Sequence, residues 1–249
     1  MRLKIVSFNI RCCDDPDGHS VAERAPRIAD IIRETDPDLI GIQEFSPIWE
    51  EPCERMFSGK YGFLNKYRAT EGWIEGGPLL WRLDRFELED KGWFWYSDTP
   101  DVESGGWDVS GHKRICTYVR LKCKESGTEF VFMNTHFGFG DEGQVKSAEL
   151  IRERVKAFGD TPYFITGDFN AKPDSPAYAA LTSFMTDANA KDLVSTTYHA
   201  YRPGSEYCAH IDYCFCGKGV TPESVMILDK TFDHKFPSDH YGLLAYLEI

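Results

Sequence analysis

PYFITGDFN, residues 162–170, is an apolar run that ends in a carboxylate and an amide, Asp168 and Asn170. Its aromatic and β-branched residues are typical of a buried strand. A strand that ends in two such polar groups delivers them to the edge of a sheet, where loops meet and functional sites collect. The four residues GDFN are also compatible with an ordinary turn, because Gly and Asn are common turn residues. The ends of the other strands therefore bear on which interpretation is correct.

Other predicted strands also carry polar residues at or near one end. The strands are expected at 3–10, 37–44, 79–82, 86–96, 115–123, 129–137, 162–170, 210–216, 223–229 and 241–249. The polar residues at or near their ends are Asn9, Glu44, His136, Asp168, Asn170, Asp212, Asp239 and His240. Because active sites of layered folds form where strand ends and loops meet on one edge, we expect these side chains to share one cleft.

Each of these residues has an ordinary explanation when it is considered alone. Asn9 could serve only as a hydrogen-bonding group at a strand end, Glu44 could be a solvated loop acid, and His136 could be a core histidine. Asp212 is harder to explain in this way, because the run HIDYCFC (210–216) is apolar around it and a buried carboxylate needs a partner. The joint occurrence of so many polar strand ends favours a functional site.

Helical patterns separate some of the strands. Helices are predicted over 24–34, 143–158 and 175–184, the last with Ser175 as its N-cap and Pro176 at its first position. The sequence shows no repeat, low-complexity tract or linker. Many strands and few helices indicate one α/β (α+β) domain over residues 1–249, in which helices flank two packed sheets.

Composition limits the classes of function. The chain has 249 residues and a formal net charge of -12 at pH 7, which disfavours tight non-specific binding of long nucleic acids and leaves a local basic groove as the alternative. The eight cysteines lack zinc-site spacing, and we expect reduced thiols in a cytoplasmic protein. No run has transmembrane length, so no stable membrane anchoring is expected. Secretion after removal of a leader is the alternative to a cytoplasmic location.

The predicted cluster contains the groups that metal-assisted attack on a phosphate ester needs. Carboxylates such as Glu44 and Asp239 suit Mg²⁺, which neutralises phosphate oxygens. An Asp can activate a water molecule when a metal also lowers the pKa of that water. Asn170 and a protonated histidine can donate hydrogen bonds to the developing charge. An Asp–His pair favours the charged imidazole and fixes its orientation.

Six segments of the chain resemble, in this order, the endonuclease/exonuclease/phosphatase superfamily, which has the deoxyribonuclease-I-like fold. They are SFNIR (7–11), IGIQE (40–44), NTHF (134–137), GDFN (167–170), HIDY (210–213) and PSDH (237–240). The resemblance implies a four-layer α/β sandwich with two central, mostly antiparallel β-sheets. It also implies a phosphoric ester hydrolase that depends on a divalent cation, Mg²⁺ or Mn²⁺, held by Glu44 with Asn9 and Asp239 nearby.

The same resemblance implies roles in the reaction for the other residues. Asp168 would orient or deprotonate the attacking water, and Asn170 would bind the phosphate. His240, paired with Asp212, would stabilise the pentacoordinate phosphorane, and His136 would contact the scissile phosphate. The resemblance leaves open whether Asp168 or His240 is the general base.

A further segment, FWYSDTP…GGWD…HKRICTYVRL within residues 94–121, resembles a bacterial branch of this superfamily with deadenylase-like motifs. We expect Arg114 to bind the substrate, because a guanidinium can bind two phosphate oxygens at once. The alternative is that Arg114 only caps a strand end. Trp107 is expected to line the cleft and to contact the substrate.

The sequence therefore predicts a monomeric phosphodiesterase or phosphatase that acts on a small or short phosphorylated substrate. The stretches 71–77 and 138–143 are acidic, which gives the cleft a neutral to acidic rim. One alternative is a DNA or RNA nuclease, whose basic groove would be formed by Arg68, Arg82, Arg85, Lys113 and Arg114. A second alternative is a non-catalytic binding protein on the same fold. Sphingomyelinase-like lipid hydrolysis is disfavoured, because no apolar hairpin could insert into a membrane.

Overall fold

Two six-stranded sheets form the centre of the protein in the computed structural model, which describes residues 1–249. The first sheet contains, in spatial order, β11 (Thr221–Leu228), β12 (Gly242–Glu248), β1 (Arg2–Asn9), β2 (Leu39–Gln43), β4 (Leu79–Arg82) and β3 (Tyr61–Leu64). The second contains β5 (Phe86–Trp95), β6 (Ile115–Cys123), β7 (Glu129–His136), β8 (Tyr163–Asp168), β10 (Asp212–Cys216) and β9 (Thr186–Asp187). Only β1–β2 and β7–β8 are parallel pairs, so both sheets are mostly antiparallel, as predicted.

Helices cover the outer face of each sheet. The helices are α1 (Val21–Thr35), α2 (Glu50–Phe57), α3 (Asp141–Arg154) and α4 (Pro176–Thr182), with 3₁₀ turns at Pro47–Trp49 and Val155–Phe158. Apolar residues of α1 and α2 share a core cluster with the first sheet, and those of α3 and α4 share another with the second. This arrangement confirms the expected four-layer sandwich. None of the helices combines the length and the hydropathy that crossing a membrane would require.

A third apolar cluster fills the space between the sheets. Leu3 and Ile5 of β1 meet Phe130, Phe132 and Phe164 from the second sheet, and all five side chains are buried. The rings of Phe132 and Phe164 stack with their centroids 5.0 Å apart. Aromatic rings of this size bury large apolar areas, so this layer contributes much of the driving force that holds the sheets face to face.

The parallel pairs bring polar strand ends to one edge. Asn9 lies beside Gln43 at the carboxyl ends of β1 and β2, so Glu44 follows directly at the same edge. His136 lies beside Asp168 at the ends of β7 and β8. Asp212 also pairs with Asp168, because β10 is antiparallel and therefore begins where β8 ends. The order of the strands thus brings these predicted site residues together at one edge.

Local capping explains where some helices begin. Ser20 and Glu23 form a capping box, which starts α1 at Val21, three residues before the predicted start. Ser175 accepts a hydrogen bond from the backbone of Tyr178 at the start of α4, as predicted. The helix α2, the strand β3 and the strand β9 were not predicted, because they contain only eight, four and two residues and span too few repeats of a pattern.

A buried polar network joins the sheets behind this edge. Asn134 Oδ1 accepts hydrogen bonds from Gln43 Nε2 at 2.7 Å and from Thr166 Oγ1 at 3.2 Å. Gly41 of β2 lies directly against this network, and a Cβ atom there would come within 2.4 Å of Thr166 Oγ1 and 2.7 Å of Asn134 Oδ1. The absence of a side chain at Gly41 therefore sets how closely the sheets approach.

We predict that Gly41→Ala lowers the free energy of unfolding by about 2 kcal/mol, because the added methyl group forces the network or the backbone to shift. Urea denaturation followed by circular dichroism measures this change. Gly105→Ala is the matched control, since no atom lies within 4 Å of a Cβ at Gly105. Equal stability of the two variants would contradict the close inter-sheet contact.

Candidate active site

The side chain of Asn9 connects carboxylates of both sheets at the shared edge. Its Nδ2 atom donates to Glu44 Oε1 at 3.1 Å and to Asp168 Oδ2 at 3.0 Å. Asn9 is fully buried, and Asp168 is 2% exposed. The amide therefore holds one carboxylate from β8 and one from the end of β2 in a fixed relation to each other.

Two residues of this cluster have left-handed backbone conformations. The φ angle is 59° at Glu44 and 48° at Asn170. Such conformations are costly for residues other than glycine and persist where the surrounding structure holds them. At Glu44 the backbone N–H of Cys12 helps, since it donates to Glu44 Oε2 at 3.0 Å. The strand ends are therefore bent so that both side chains turn into the cluster.

His240 lies between two carboxylates. Its Nδ1 atom donates to Asp212 Oδ2 at 2.9 Å, and its Nε2 atom is 3.7 Å from Asp168 Oδ2. Burial by itself would lower the pKa of His240, but Asp212, Asp168 and Asp239 raise that pKa to about 10. The imidazole is therefore positively charged at neutral pH and can donate to an anion.

Asp168 has an environment that disfavours its charge. Burial and the neighbouring Asp212 raise the pKa of Asp168 to about 7, against the opposing effect of His240. The backbone N–H of Asn170 donates to Asp168 Oδ1 at 2.9 Å, which fixes the rotation of the carboxylate. A carboxylate with a pKa close to neutrality is well matched to the transfer of a proton from water.

His136 has the opposite charge state to His240. Its Nε2 atom lies 3.0 Å from Asn170 Nδ2 and 3.6 Å from Asp168 Oδ2. Burial, followed by the positive charges of Arg114 and Arg68, lowers the pKa of His136 well below its usual value. The cluster therefore contains one neutral and one protonated imidazole on either side of Asp168.

The oxygen atoms beside Glu44 fit a hard divalent cation. Arg11 shows the excess of negative charge there, since its guanidinium lies 4.0 Å from Glu44 Oε2 and 3.9 Å from Asp239 Oδ2. Burial and the nearby Glu44 raise the pKa of Asp239. Glu44 and Asp168 also have carboxylate oxygens within 4.8 Å of each other. Carboxylate and amide oxygens are the ligands that Mg²⁺ prefers, so the donor set suits Mg²⁺ or Mn²⁺.

Glu75 also belongs to the cluster, although the sequence predicted that it lies on an acidic rim. It is buried instead, with Oε2 at 3.0 Å from Arg68 Nη1 and 3.8 Å from His136 Nδ1. Burial and Glu44 raise the pKa of Glu75. The sequence contained one signal, since Glu75 lies just before the strand predicted at 79–82. In the structure this strand, β4, is antiparallel to β2 and so begins at the edge where Glu44 lies.

Arg114 and Trp107, the two predicted substrate-binding residues, have different surroundings. Arg114 is 4% exposed, and its Nε atom donates to Asp108 Oδ2 at 2.7 Å, while its charge contributes to the lowered pKa of His136. Trp107 donates to the carboxylate of Asp98 at 3.2 Å and packs against Gly143 of α3. Arg114 therefore lies beside the cluster, whereas these contacts of Trp107 lie outside it.

Comparison with known proteins gives one consistent result. The profile of the Endonuclease/Exonuclease/phosphatase family matches residues 6–240. A mannosyl-6-phosphatase from Bacteroides thetaiotaomicron is 29% identical over 99% of this chain and 100% of that protein, with a TM-score of 0.89. An endonuclease/exonuclease/phosphatase from Bacteroides vulgatus is 30% identical over 100% of this chain and 99% of that protein, with a TM-score of 0.90.

A more distant relative is longer than this chain. Nocturnin from Drosophila melanogaster is 25% identical in an alignment 273 positions long, gaps included, that covers 88% of this chain and 40% of Nocturnin. The chain thus spans less than half of the length of this relative. The similarity concerns the shared region and not the whole of Nocturnin.

We predict that Asp212→Asn lowers kcat about a hundredfold, because His240 loses the carboxylate that holds its charge and orientation. Steady-state kinetics with a phosphate ester measures the change. Asp187→Asn is the matched control, since Asp187 is an equally buried carboxylate that pairs with Tyr178 instead. A similar loss of kcat in both variants would mean that the effect is one of stability.

We predict that Glu44→Gln weakens the binding of Mg²⁺ by more than about tenfold, since the substitution removes a charged oxygen ligand. The increase in Tm on addition of Mg²⁺ reports the binding. The exposed Glu51→Gln on α2 serves as the control for a loss of one negative charge elsewhere. An unchanged dependence on Mg²⁺ would contradict the role of Glu44 as a ligand.

Proposed function

Because this chain belongs to the endonuclease/exonuclease/phosphatase family, we propose that it is a metal-dependent phosphoesterase that hydrolyses a monoester of a small phosphorylated molecule. The observation that carries this proposal is the position of Asp168. Its carboxylate lies 3.6 Å from His136 and 3.7 Å from His240, beside the oxygen atoms of Glu44. Acid, base and cation-binding groups thus meet within one buried edge.

Glu44 and Asp239, with Asn9 beside them, would hold the divalent cation. When bound, such a cation neutralises charge on phosphate oxygens and lowers the pKa of a nearby water. Although burial opposes it, the charges of His240 and Arg11 and the hydrogen bond from Asn9 lower the pKa of Glu44. Glu44 is therefore ionised at neutral pH, as a ligand must be.

Asp168 is the better candidate for the general base. Its raised pKa, near neutrality, suits it to accept a proton from the attacking water. His240 has a raised pKa and is protonated, which suits it to donate to the negative charge that develops on the phosphorane. Asn170 would bind a phosphate oxygen, and His136 would contact the scissile phosphate. As the oxygen of water bonds to phosphorus, its proton passes to Asp168 and the bond between phosphorus and the ester oxygen breaks. The departing alkoxide takes a proton from solvent, and Asp168 returns its own proton to solvent.

A monoester is favoured over a polynucleotide for two reasons. The mannosyl-6-phosphatase relative supports a small monoester as the substrate class. The cations that could have formed a basic groove are either buried or paired with acids: Arg68 with Glu75, Arg82 with Asp36 and Asp84, Arg85 with Asp38, Lys113 with Glu103 and Arg114 with Asp108. With a net charge of -12, few free cations remain to neutralise a phosphate backbone.

We predict that the protein hydrolyses p-nitrophenyl phosphate faster than bis-p-nitrophenyl phosphate, with Mg²⁺ or Mn²⁺ and not with EDTA. Asp168→Ala should lower the rate about a thousandfold, because the base is lost, whereas exposed Asp90→Ala should leave it unchanged. Retention of more than about a tenth of the rate in Asp168→Ala would refute the assignment of Asp168 as the base. Faster cleavage of the diester, or of RNA, would instead support the nuclease alternative.

A further inference from the structure

Two loops form a tied rim beside the cluster. One is the loop 65–78 between β3 and β4, and the other is the loop 96–114 between β5 and β6. Glu103 of the second loop accepts from the backbone N–H of Thr70 at 3.0 Å and from the Thr70 hydroxyl at 3.2 Å, and it also pairs with Lys113 of its own loop. The two hydrogen bonds from Thr70 hold the two loops together, so side chains on the rim have defined positions relative to the site.

Trp73 lies on the first of these loops and is 53% exposed, although its indole N–H is anchored. The indole donates to the buried carboxylate of Glu75, whose other oxygen lies 3.8 Å from His136 Nδ1. Glu75 and His136 also line one small cavity together with Arg68. A single carboxylate therefore separates an exposed aromatic face from the candidate catalytic imidazole.

His112 completes this aromatic surface from the second loop. The rings of Trp73 and His112 have their centroids 6.1 Å apart and are inclined by 41°. Burial and the charges of Arg68 and Arg114 lower the pKa of His112, so its ring is neutral at physiological pH. We call these two rings the Trp73–His112 surface.

An exposed tryptophan can also have a purely structural role. Trp93 is 38% exposed and packs beneath Lys66, whose Nζ atom is 5.2 Å from the ring centroid. Trp73 differs from Trp93 because its polar edge is held by a buried acid of the active-site cluster while its face remains open. An exposed apolar face with such anchoring, at the mouth of a site, is typical of ligand recognition.

We infer that the Trp73–His112 surface binds the leaving group of the substrate, and that this leaving group is a polyhydroxylated ring such as a hexopyranose. This inference rests on the proposed function, since the phosphate must lie among Asp168, His240 and Asn170. The apolar C–H face of a sugar ring packs on an indole, while its hydroxyl groups remain free to donate to nearby acids. Glu71, exposed and two residues before Trp73, is such an acceptor.

The geometry disfavours a nucleobase sandwiched between the two rings. A flat base held between two rings needs them parallel and about 7 Å apart, which is twice the van der Waals contact distance. The 41° inclination and the 6.1 Å separation leave no such slot. A puckered ring needs only one open face, which Trp73 provides. The acidic rim also disfavours the further phosphates of a polynucleotide.

The test compares Trp73→Ala with the wild type on mannose 6-phosphate and on glycerol 2-phosphate, which has no ring. We expect the KM for mannose 6-phosphate to rise about tenfold while kcat stays within about twofold. For glycerol 2-phosphate, kcat/KM should change less than about twofold. Trp73→Phe, which keeps an aromatic face, should recover part of the affinity. Trp93→Ala is the matched control and should behave as the wild type on both substrates.

A second measurement does not depend on turnover. Saturation-transfer NMR of mannose 6-phosphate with the Asp168→Ala protein should show contact through the ring protons of the sugar. The contact should disappear in the double variant that carries both Asp168→Ala and Trp73→Ala. Absence of contact in the Asp168→Ala protein would overturn the inference, even if the protein is a phosphoesterase.

Three kinetic outcomes would also overturn it. If Trp73→Ala lowered kcat/KM equally on both substrates, the role of Trp73 would be to position Glu75. No change on either substrate would show that the surface is not used. A greater loss on adenosine monophosphate than on mannose 6-phosphate would indicate base stacking. If the wild type hydrolyses no phosphate ester, the proposed function fails, and the NMR contact alone decides whether the surface binds the sugar.

Discussion

The amide of Asn9 joins the two halves of the site, because it donates at once to a carboxylate beside each sheet. The acceptors are Glu44 at the end of β2 and Asp168 at the end of β8. The amide is fully buried, so breaking either hydrogen bond would leave a donor without a partner and would cost free energy. The distance between the sheets and the distance between the two carboxylates are therefore coupled. Gly41, behind the same edge, also holds the sheets close together, because its lack of a side chain leaves room for Thr166 and Asn134 of the other sheet.

Opposite charge states of two similar imidazoles follow from their neighbours. Asp212 and Asp168 raise the pKa of His240 against the effect of burial, whereas burial, followed by the charges of Arg114 and Arg68, lowers the pKa of His136. His240 is buried and the side chain of His136 is only 14% exposed, so water screens the charges around both imidazoles weakly. A pair of titratable groups whose pKa values are pushed apart is the usual basis of acid–base division in an active site. In this protein the neutral imidazole of His136 and the charged imidazole of His240 both lie within 4 Å of the carboxylate of Asp168.

The placement of positive charge separates the candidate site from the rest of the acidic surface. Arg68 and Arg114 are buried beside the cluster, each with an acid partner, while exposed cations such as Lys60 are paired on the surface. Local positive charge can thus act on one phosphate group without creating a long basic groove. The aromatic face of Trp73 lies at the mouth of this region and adds recognition that does not depend on charge.

The sequence by itself determined which strands end in polar groups, since period and composition are local and the GDFN segment at 167–170 interrupts an apolar run. It also determined the start of α4 at Ser175, because capping depends on residues three positions apart. Only the tertiary structure decided that Glu75 is buried beside His136, and which imidazole is charged. Those properties depend on burial and on partners far away in the chain, which strand order and sheet packing supply and no local pattern contains.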